Sequence, residues 1–374
     1  MKKPRVIIIG GGLAGLTAAI DLCKRGIEVI LFEKDEYPHH KVCGEYLSAE
    51  ILPYYDSLGI DLGELNAPEI HKLEYSSNSG KTITCDLQMG GLGISRYNLD
   101  HFLYRSALNL GCTVITVTVT EVSFNREKFT VLANDEEYMS DFVLGAFGKR
   151  SNLDKKLDRD FFKNQSGWLA VKAHYKDSEH PEDLVSLHNF NGGYCGLSRT
   201  EINTVNVCYL ASYSSFKKHK NTETFKNSVL MKNPRLNEFF QRSEPVFQKD
   251  LSIAQVNFDR KSLIEDHIMM IGDAAGLIHP LCGNGMAMAI HSAKLAVECL
   301  VDFYSSKETG RQSVEKLYRN KWQNNFNNRI RSGRILQKVL LNDTLSELSQ
   351  NIIAKFPGIM PQIIRSTHGK PIYV

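Results

Sequence analysis

Arg5-Val-Ile-Ile-Ile9, Gly10-Gly-Gly12-Leu-Ala-Gly15, the run Leu16 to Arg25, Gly26, and Glu28-Val-Ile-Leu-Phe32-Glu33 decide the fold. The first run is β-branched and continuously apolar, as in a strand buried within a parallel sheet. Leu13 to Arg25 is rich in Ala and Leu, is basic at its end and stops at Gly26, which predicts a helix. Val29 to Phe32 reads as a second buried strand. In this β-α-β unit Gly10 permits the tight turn, Gly12 lets the backbone approach a pyrophosphate, and Gly15 lets the helix pack near the strand. Leu13 and Ala14 open the helix, where free N–H groups and the dipole favour an anion. Glu33, followed by Lys34, ends the second strand 18 residues after Gly15. Its carboxylate suits the two hydroxyls of an adenosine ribose. The competing reading is a glycine-rich turn in an unrelated α/β protein, and the motif alone does not choose between NAD and FAD.

Composition narrows the class. The 374 residues allow one large or two modest domains, and 42% apolar with 23% charged residues is ordinary for a globular protein. A formal net charge of +3 gives no reason to expect a nucleic-acid partner. Eight scattered cysteines, without C-x-x-C or zinc spacing, fit reduced thiols in a cytoplasm. Lys2 and Lys3 before an apolar run imitate a signal peptide, but the glycines interrupt that run and Asp21 closes it. No apolar stretch is long enough to span a membrane. His39 and His40 lack a third ligand at sensible spacing, so a solvated loop is expected and no metal.

A second block is His267-Ile-Met-Met-Ile271-Gly272-Asp273-Ala274-Ala275-Gly276, then Pro280, Gly283-Asn-Gly285-Met286 and an Ala-rich segment to Phe303. It reads as strand, Gly-Asp turn, glycine-rich loop and helix. This block resembles the G-D-A-A-G…P…G-x-G-[ML] motif of FAD-dependent oxidoreductases of the para-hydroxybenzoate hydroxylase and geranylgeranyl reductase superfamily. The resemblance implies FAD, an Asp273 hydrogen bond to a ribityl hydroxyl, and a helix aimed at the flavin pyrimidine. A third block, Arg96-Tyr-Asn-Leu99-Asp100, is similar to the family's R-x-x-L-D helix and implies that Arg96 lies near the flavin or its phosphates. Thr113 to Val122 reads as a strand, with Val119 implied at the adenine. Phe147 stands where the aromatic hydroxylases usually carry Asp, which argues against NADPH docking as it does there. No second G-x-G-x-x-G occurs, so no separate NAD(P)H domain is expected.

Pro38-His-His-Lys41-Val-Cys43-Gly44-Glu45 resembles the P…K-x-C-G-G segment of geranylgeranyl-reductase-like proteins, with Glu45 in place of a glycine. The resemblance implies Lys41 at the cofactor and Cys43 beside the isoalloxazine. Cys43 is a candidate catalytic residue, and a buried inert thiol is the equal alternative. Asn191 to Ser198 matches the reductases' G-Y-x-W-x-F-P segment loosely; Gly196 stands where the Trp would be, which counts against prenyl reduction. The halogenase signature W-x-W-x-I-P is not found, and that branch is set aside.

The fold expected from the resemblance is α/β: a Rossmann-type FAD-binding domain of the GR2 flavoprotein type, an inserted mixed β-sheet substrate domain and a helical C-terminus. The FAD-binding domain is expected over 1–70, 90–160 and 255–305, the substrate domain over 71–89 and 161–254, and the helical segment over 306–374. Trp168 to Tyr175 and Thr204 to Tyr209 alternate as half-buried strands do. Arg329, Arg331, Arg334 and Lys338 mix with Ile335, Leu336, Val339 and Leu340. That pattern predicts a helix packed on the substrate domain, with a membrane-surface helix as the alternative. The expected activity is an FAD-dependent monooxygenase acting on a small aromatic or lipid-like metabolite, with NAD(P)H as electron donor. The alternatives are a carbon–carbon double-bond reductase and a non-catalytic flavin sensor.

Overall fold

The computed structural model describes residues 5–305, 310–340, 342–356 and 358–373. Lys2 and Lys3 lie outside them.

The opening unit folds as its pattern requires: strand Arg5–Ile9, helix Leu13–Lys24, strand Glu28–Glu33. The two strands pair in parallel, and Arg5–Ile9 also pairs in parallel with Phe142–Gly145. They lie inside a six-stranded sheet flanked by Thr113–Thr116 at one edge and by Ile268–Met270 with Ile264–Glu265 at the other. The strand expected from His267 to Ile271 forms as Ile268–Met270, and His267, at φ +66, makes the turn from Ile264–Glu265 into it. One expected strand is divided. Thr113 to Val122 divides after Thr116, and Val119–Asn125 joins a separate three-stranded sheet. Alternating β-branched residues continue across that break, so the sequence pattern cannot mark it.

A nine-stranded sheet takes strands from distant parts of the chain: Tyr46–Ser48, Glu69–Ser76 and Thr82–Gly93 with six strands between Trp168 and Ala254. Trp168–Lys176 was expected half-buried, yet Leu169 to Tyr175 are all buried. Both faces are covered. Leu169, Val171, Ala173 and Tyr175 pack with Phe225, Leu236 and Phe239, whereas Ala170 on the other face packs with Tyr194, Leu277 and Leu281.

The helix Arg311–Leu340 buries Val314, Tyr318, Trp322 and Phe326, one residue per turn, and Tyr318 donates to the Met270 carbonyl at 2.6 Å. Its far end reaches the nine-stranded sheet: Asn189 donates to the Leu340 carbonyl at 2.5 Å, and Arg334 donates to Phe258 O at 2.9 Å. The helix is packed as expected, but its buried residues join the core of the six-stranded sheet, and only its far end lies against the nine-stranded sheet. The next helix, Asp343–Lys355, leaves Leu345, Leu348 and Ile352 exposed, with Phe356 just beyond it. Among the described residues no helix is long and apolar enough to cross a membrane.

Candidate active site

The glycine loop separates two kinds of glycine. A Cβ on Gly10, which has φ +109, would lie 2.4 Å from the Ala146 carbonyl oxygen, and one on Gly15 would lie 1.9 Å from Gly10 O. Both clashes are internal to the protein. Gly12 is extended at φ −85 and forms the N-cap of the first helix without a side-chain cap. The nearest atoms to a Cβ there are Arg96 Nη2 at 3.6 Å and Lys41 Nζ at 3.9 Å. Two cations thus converge on an uncapped helix N-terminus formed by Leu13 and Ala14, which is space and charge for a pyrophosphate.

Asp100 fixes both cations. It accepts from Arg96 Nε and Nη2 at 2.6 and 2.7 Å, and Lys41 Nζ lies 2.9 Å from its Oδ2. Burial alone would raise the Asp100 carboxyl, but the cations override it and hold it below the ordinary range. Burial would likewise lower Arg96, and Asp100 reverses that.

Glu33 is buried at the end of its strand. Its Oε2 accepts from Gly11 N–H at 2.7 Å, and its Oε1 accepts from the backbone N–H of Lys34 and Asp35 at 2.9 and 3.2 Å. A carboxylate has about four lone-pair sites, so capacity remains for a ribose hydroxyl. The Lys34 side chain points away, 3.6 Å from Asp35, and is exposed. Only its backbone serves this site. The solvated-loop reading of His39 and His40 needs correction. His39 comes together with Glu33 and Asp35 in one group of ligand-bearing side chains. His40 packs 4.7 Å from Tyr97, 4.7 Å from Phe247 and 5.5 Å from His174.

At the second block, Gly272 N–H donates to Ser292 Oγ at 2.7 Å, tying the Gly-Asp turn to the helix Gly285–Ser305. Asp273 and Gly272 line a narrow cleft with Gly276, Gly285 and Trp322. Two cations that sequence reading missed hold this turn. Lys261 donates to Asp273 O at 2.8 Å and Lys149 O at 2.9 Å, and Arg159 donates to Ala274 O at 2.9 Å. Burial pushes the Lys261 ammonium down to about 8. Each is a single basic residue with no motif around it. Pro280 is exposed, Gly283 turns at φ +64, and Met286 in the helix's first turn meets Cys43, Sγ to Sδ 3.4 Å. Val119 opens the strand Val119–Asn125 and pairs with Ala133 in the three-stranded sheet.

Beside Cys43 stands the largest omission. Glu45 occupies a left-handed backbone position, φ +54, where an L side chain costs about 1–2 kcal/mol. Its carboxylate is fully buried and bonded to Lys172 Nζ, to His174 Nε2 at 2.7 Å and to the Arg96 N–H at 2.7 Å. Burial would raise this carboxyl; Lys172 and His174 override it and hold it below its ordinary value. The loop is also pinned by Lys149 to Val42 O at 3.1 Å, Asn206 to Cys43 O at 3.2 Å and Ser198 to Gly44 O at 3.0 Å. The nine-stranded sheet thereby grips the segment that carries Cys43.

Cation-lined glycine loop, ribose carboxylate, Gly-Asp turn and aimed helix all fit a flavin dinucleotide. The family model described as the FAD binding domain matches residues 3–321. This chain belongs to that family. It is an FAD-dependent oxidoreductase, and its fold is the family's mixed α/β arrangement. The chain is 25% identical over 353 residues to the digeranylgeranylglycerophospholipid reductase of Methanococcus vannielii, covering 90% of this chain and 87% of the relative. It is 21% identical over 353 residues to the tryptophan 2-halogenase of Chondromyces crocatus, covering 87% and 66%. The solved flavin-dependent brominase Bmp2 superposes with a TM-score of 0.80 at 20% identity, covering 97% of this chain and 92% of the other. Halogenases were set aside in the sequence reading; at this identity the brominase shows a shared fold and does not select a chemistry.

Proposed function

We propose that this oxidoreductase reduces a carbon–carbon double bond in an apolar, lipid-like metabolite, with NAD(P)H as electron donor. The observation that carries the reading is the pinned Cys43 loop packed on Met286, beneath an apolar wall of Trp168, Ala170, Tyr194, Leu210 and Phe258. The likeness to a reductase over 90% of the chain supports it. FAD, when bound, supplies the redox chemistry, and the protein supplies binding, orientation and a dry site. Gly12, Leu13, Ala14, Gly15, Lys41 and Arg96 would hold its pyrophosphate, Glu33 its ribose, and Gly272, Asp273, Ala274, Gly283, Gly285 and Met286 its flavin end.

The wall is dry enough to keep His279 neutral. Burial among Trp168, Tyr194 and Phe258 pushes its imidazole down to about 3. Such a wall selects substrates by apolar surface. The exposed Leu345, Leu348, Ile352 and Phe356 support peripheral contact with a lipid surface as the source of substrate. Hydroxylation is the second reading, favoured by the same exclusion of water, which would protect oxygen chemistry.

The test is NADPH or NADH oxidation by the yellow protein in the presence of prenyl and polyene lipids. Stimulation by an unsaturated lipid and none by its saturated counterpart is expected. Stimulation by small aromatic compounds alone would overturn the reductase reading. Asp273→Ala should give flavin-poor protein, and full FAD occupancy in that variant would contradict the assignment of the Gly-Asp turn.

A further inference from the structure

A cavity of about 610 Å³ lies between the strand Thr82–Gly93, the helices Gly285–Ser305 and Arg311–Leu340, and the C-terminal segment from Pro361 to Tyr373. It is distinct from the apolar wall described above. Tyr46 is its link to the glycine-rich loop: it lines the cavity, and a Cβ on Gly283 would lie 3.3 Å from its ring.

The lining is unbalanced in charge. Lys294, Arg329, Arg365 and Lys370 contribute four cations, against one carboxylate, Asp86. Two of the cations are committed elsewhere: Lys294 pairs with Glu298, and Arg329 with the buried Glu50 at 3.0 Å. Arg365 donates to Gln88 Oε1 at 2.7 Å, a neutral partner. Among the described residues neither Arg365 nor Lys370 has a carboxylate partner. A second observation points the same way. His291 lines the cavity, is only 9% exposed, and its Nδ1 has no hydrogen-bond partner. A buried polar atom left unpaired costs about 1–3 kcal/mol, and a ligand oxygen would relieve it. Leu87, Ile364, Pro371 and Ile372 add apolar surface to the wall, beside the amides of Asn324 and Asn325.

We propose that this cavity is a second binding site, for an acidic amphiphile whose phosphate or carboxylate head meets Arg365 and Lys370 and whose apolar body lies along Leu87, Ile364 and Ile372. The volume is that of a site for a small organic molecule. Guanidinium and ammonium together suit a phosphate monoester, the first as a bidentate donor and the second as a point charge. The site does not depend on which reaction the flavin performs.

Calorimetric titration of the FAD-loaded full chain with dodecyl phosphate, dodecanol and inorganic phosphate tests it. Dodecyl phosphate is expected to bind at least tenfold tighter than either part alone. The double variant Arg365→Gln/Lys370→Gln should weaken dodecyl phosphate about tenfold while keeping FAD content and thermal stability. Equal affinity for dodecyl phosphate and dodecanol would overturn the proposal. So would unchanged dodecyl phosphate binding in the double variant, since the ligand would then occupy another site.

Discussion

The largely parallel six-stranded sheet and the nine-stranded sheet both shape the site, and they do so by different means. The first works through backbone: Gly10 turns at φ +109, Gly12 leaves a helix N-terminus bare, and Glu33 binds three N–H groups. The second works through side chains: Lys172 and His174 clasp Glu45, and Asn206 and Ser198 grip its neighbours. A backbone device needs residue types at fixed spacing, whereas a side-chain device needs only that strands far apart in the chain be brought together. The lesson is that the cofactor end and the substrate end should fail differently when altered.

The largest effect is expected on the side-chain end. Glu45→Ala leaves the Lys172 ammonium buried without its carboxylate, which costs about 3–5 kcal/mol. Urea unfolding should show that loss, and Glu45→Gln with Lys172→Met should recover much of it. A loss below about 1 kcal/mol for Glu45→Ala would mean that the clasp is ornamental.

Acid should act on both ends, through His188 on the strand Leu184–Phe190 and His279 in the loop after the Gly-Asp turn. Burial pushes His188 and His279 down to about 3, against 6.5 when exposed. Between those values the unfolded chain binds protons that the native state refuses, so stability is full above pH 6.5 and falls as pH drops toward 3. Each imidazole should cost roughly 2 kcal/mol by pH 5, and His279→Gln should flatten its share of the profile. A thermal midpoint that stays level from pH 7 to pH 5 would contradict both assignments.

Gly12→Ala sharpens the comparison from the cofactor end. The protein has room for that methyl, so stability should be unchanged, but the methyl stands where the phosphates belong and FAD should bind about tenfold more weakly or worse. Gly15→Ala should instead destabilise the apoprotein, because its Cβ meets Gly10 O. Equal behaviour of the two variants would collapse the distinction. The smallest structural effect is expected from Cys43→Ser, with flavin retained and stability within about 1 kcal/mol, yet altered turnover on the true substrate. Unchanged kinetics would leave Cys43 a packing residue.

How much was legible follows the same division. The β-α-β unit, the Gly-Asp turn and Arg96 with Asp100 could be read because each is a local pattern with a local reason. Lys149, Arg159 and Lys261 could not, since each acts through hydrogen bonds to backbone carbonyls more than ten residues away. Glu45 did leave a signal. It replaces a glycine of the related reductases at a position that proves to be left-handed, and a costly residue in such a slot points to a compensating interaction. The burial of every residue from Leu169 to Tyr175 was hidden because alternation describes one covered face, whereas here helices cover one side and the flavin loops the other. The passage from one sheet to another between Thr116 and Val119 was hidden because the β-branched pattern runs through it.

Delivery of reducing equivalents from the flavin site to an apolar double bond is tested most directly without oxygen. The FAD-loaded protein, reduced anaerobically, would be mixed with a polyene or prenyl lipid while flavin colour is followed and the lipid is analysed by mass. Colour is expected to return in the absence of air, and the lipid to gain two hydrogens. Colour that returns only when air is admitted, with a product that has gained oxygen, would contradict it and establish hydroxylation instead.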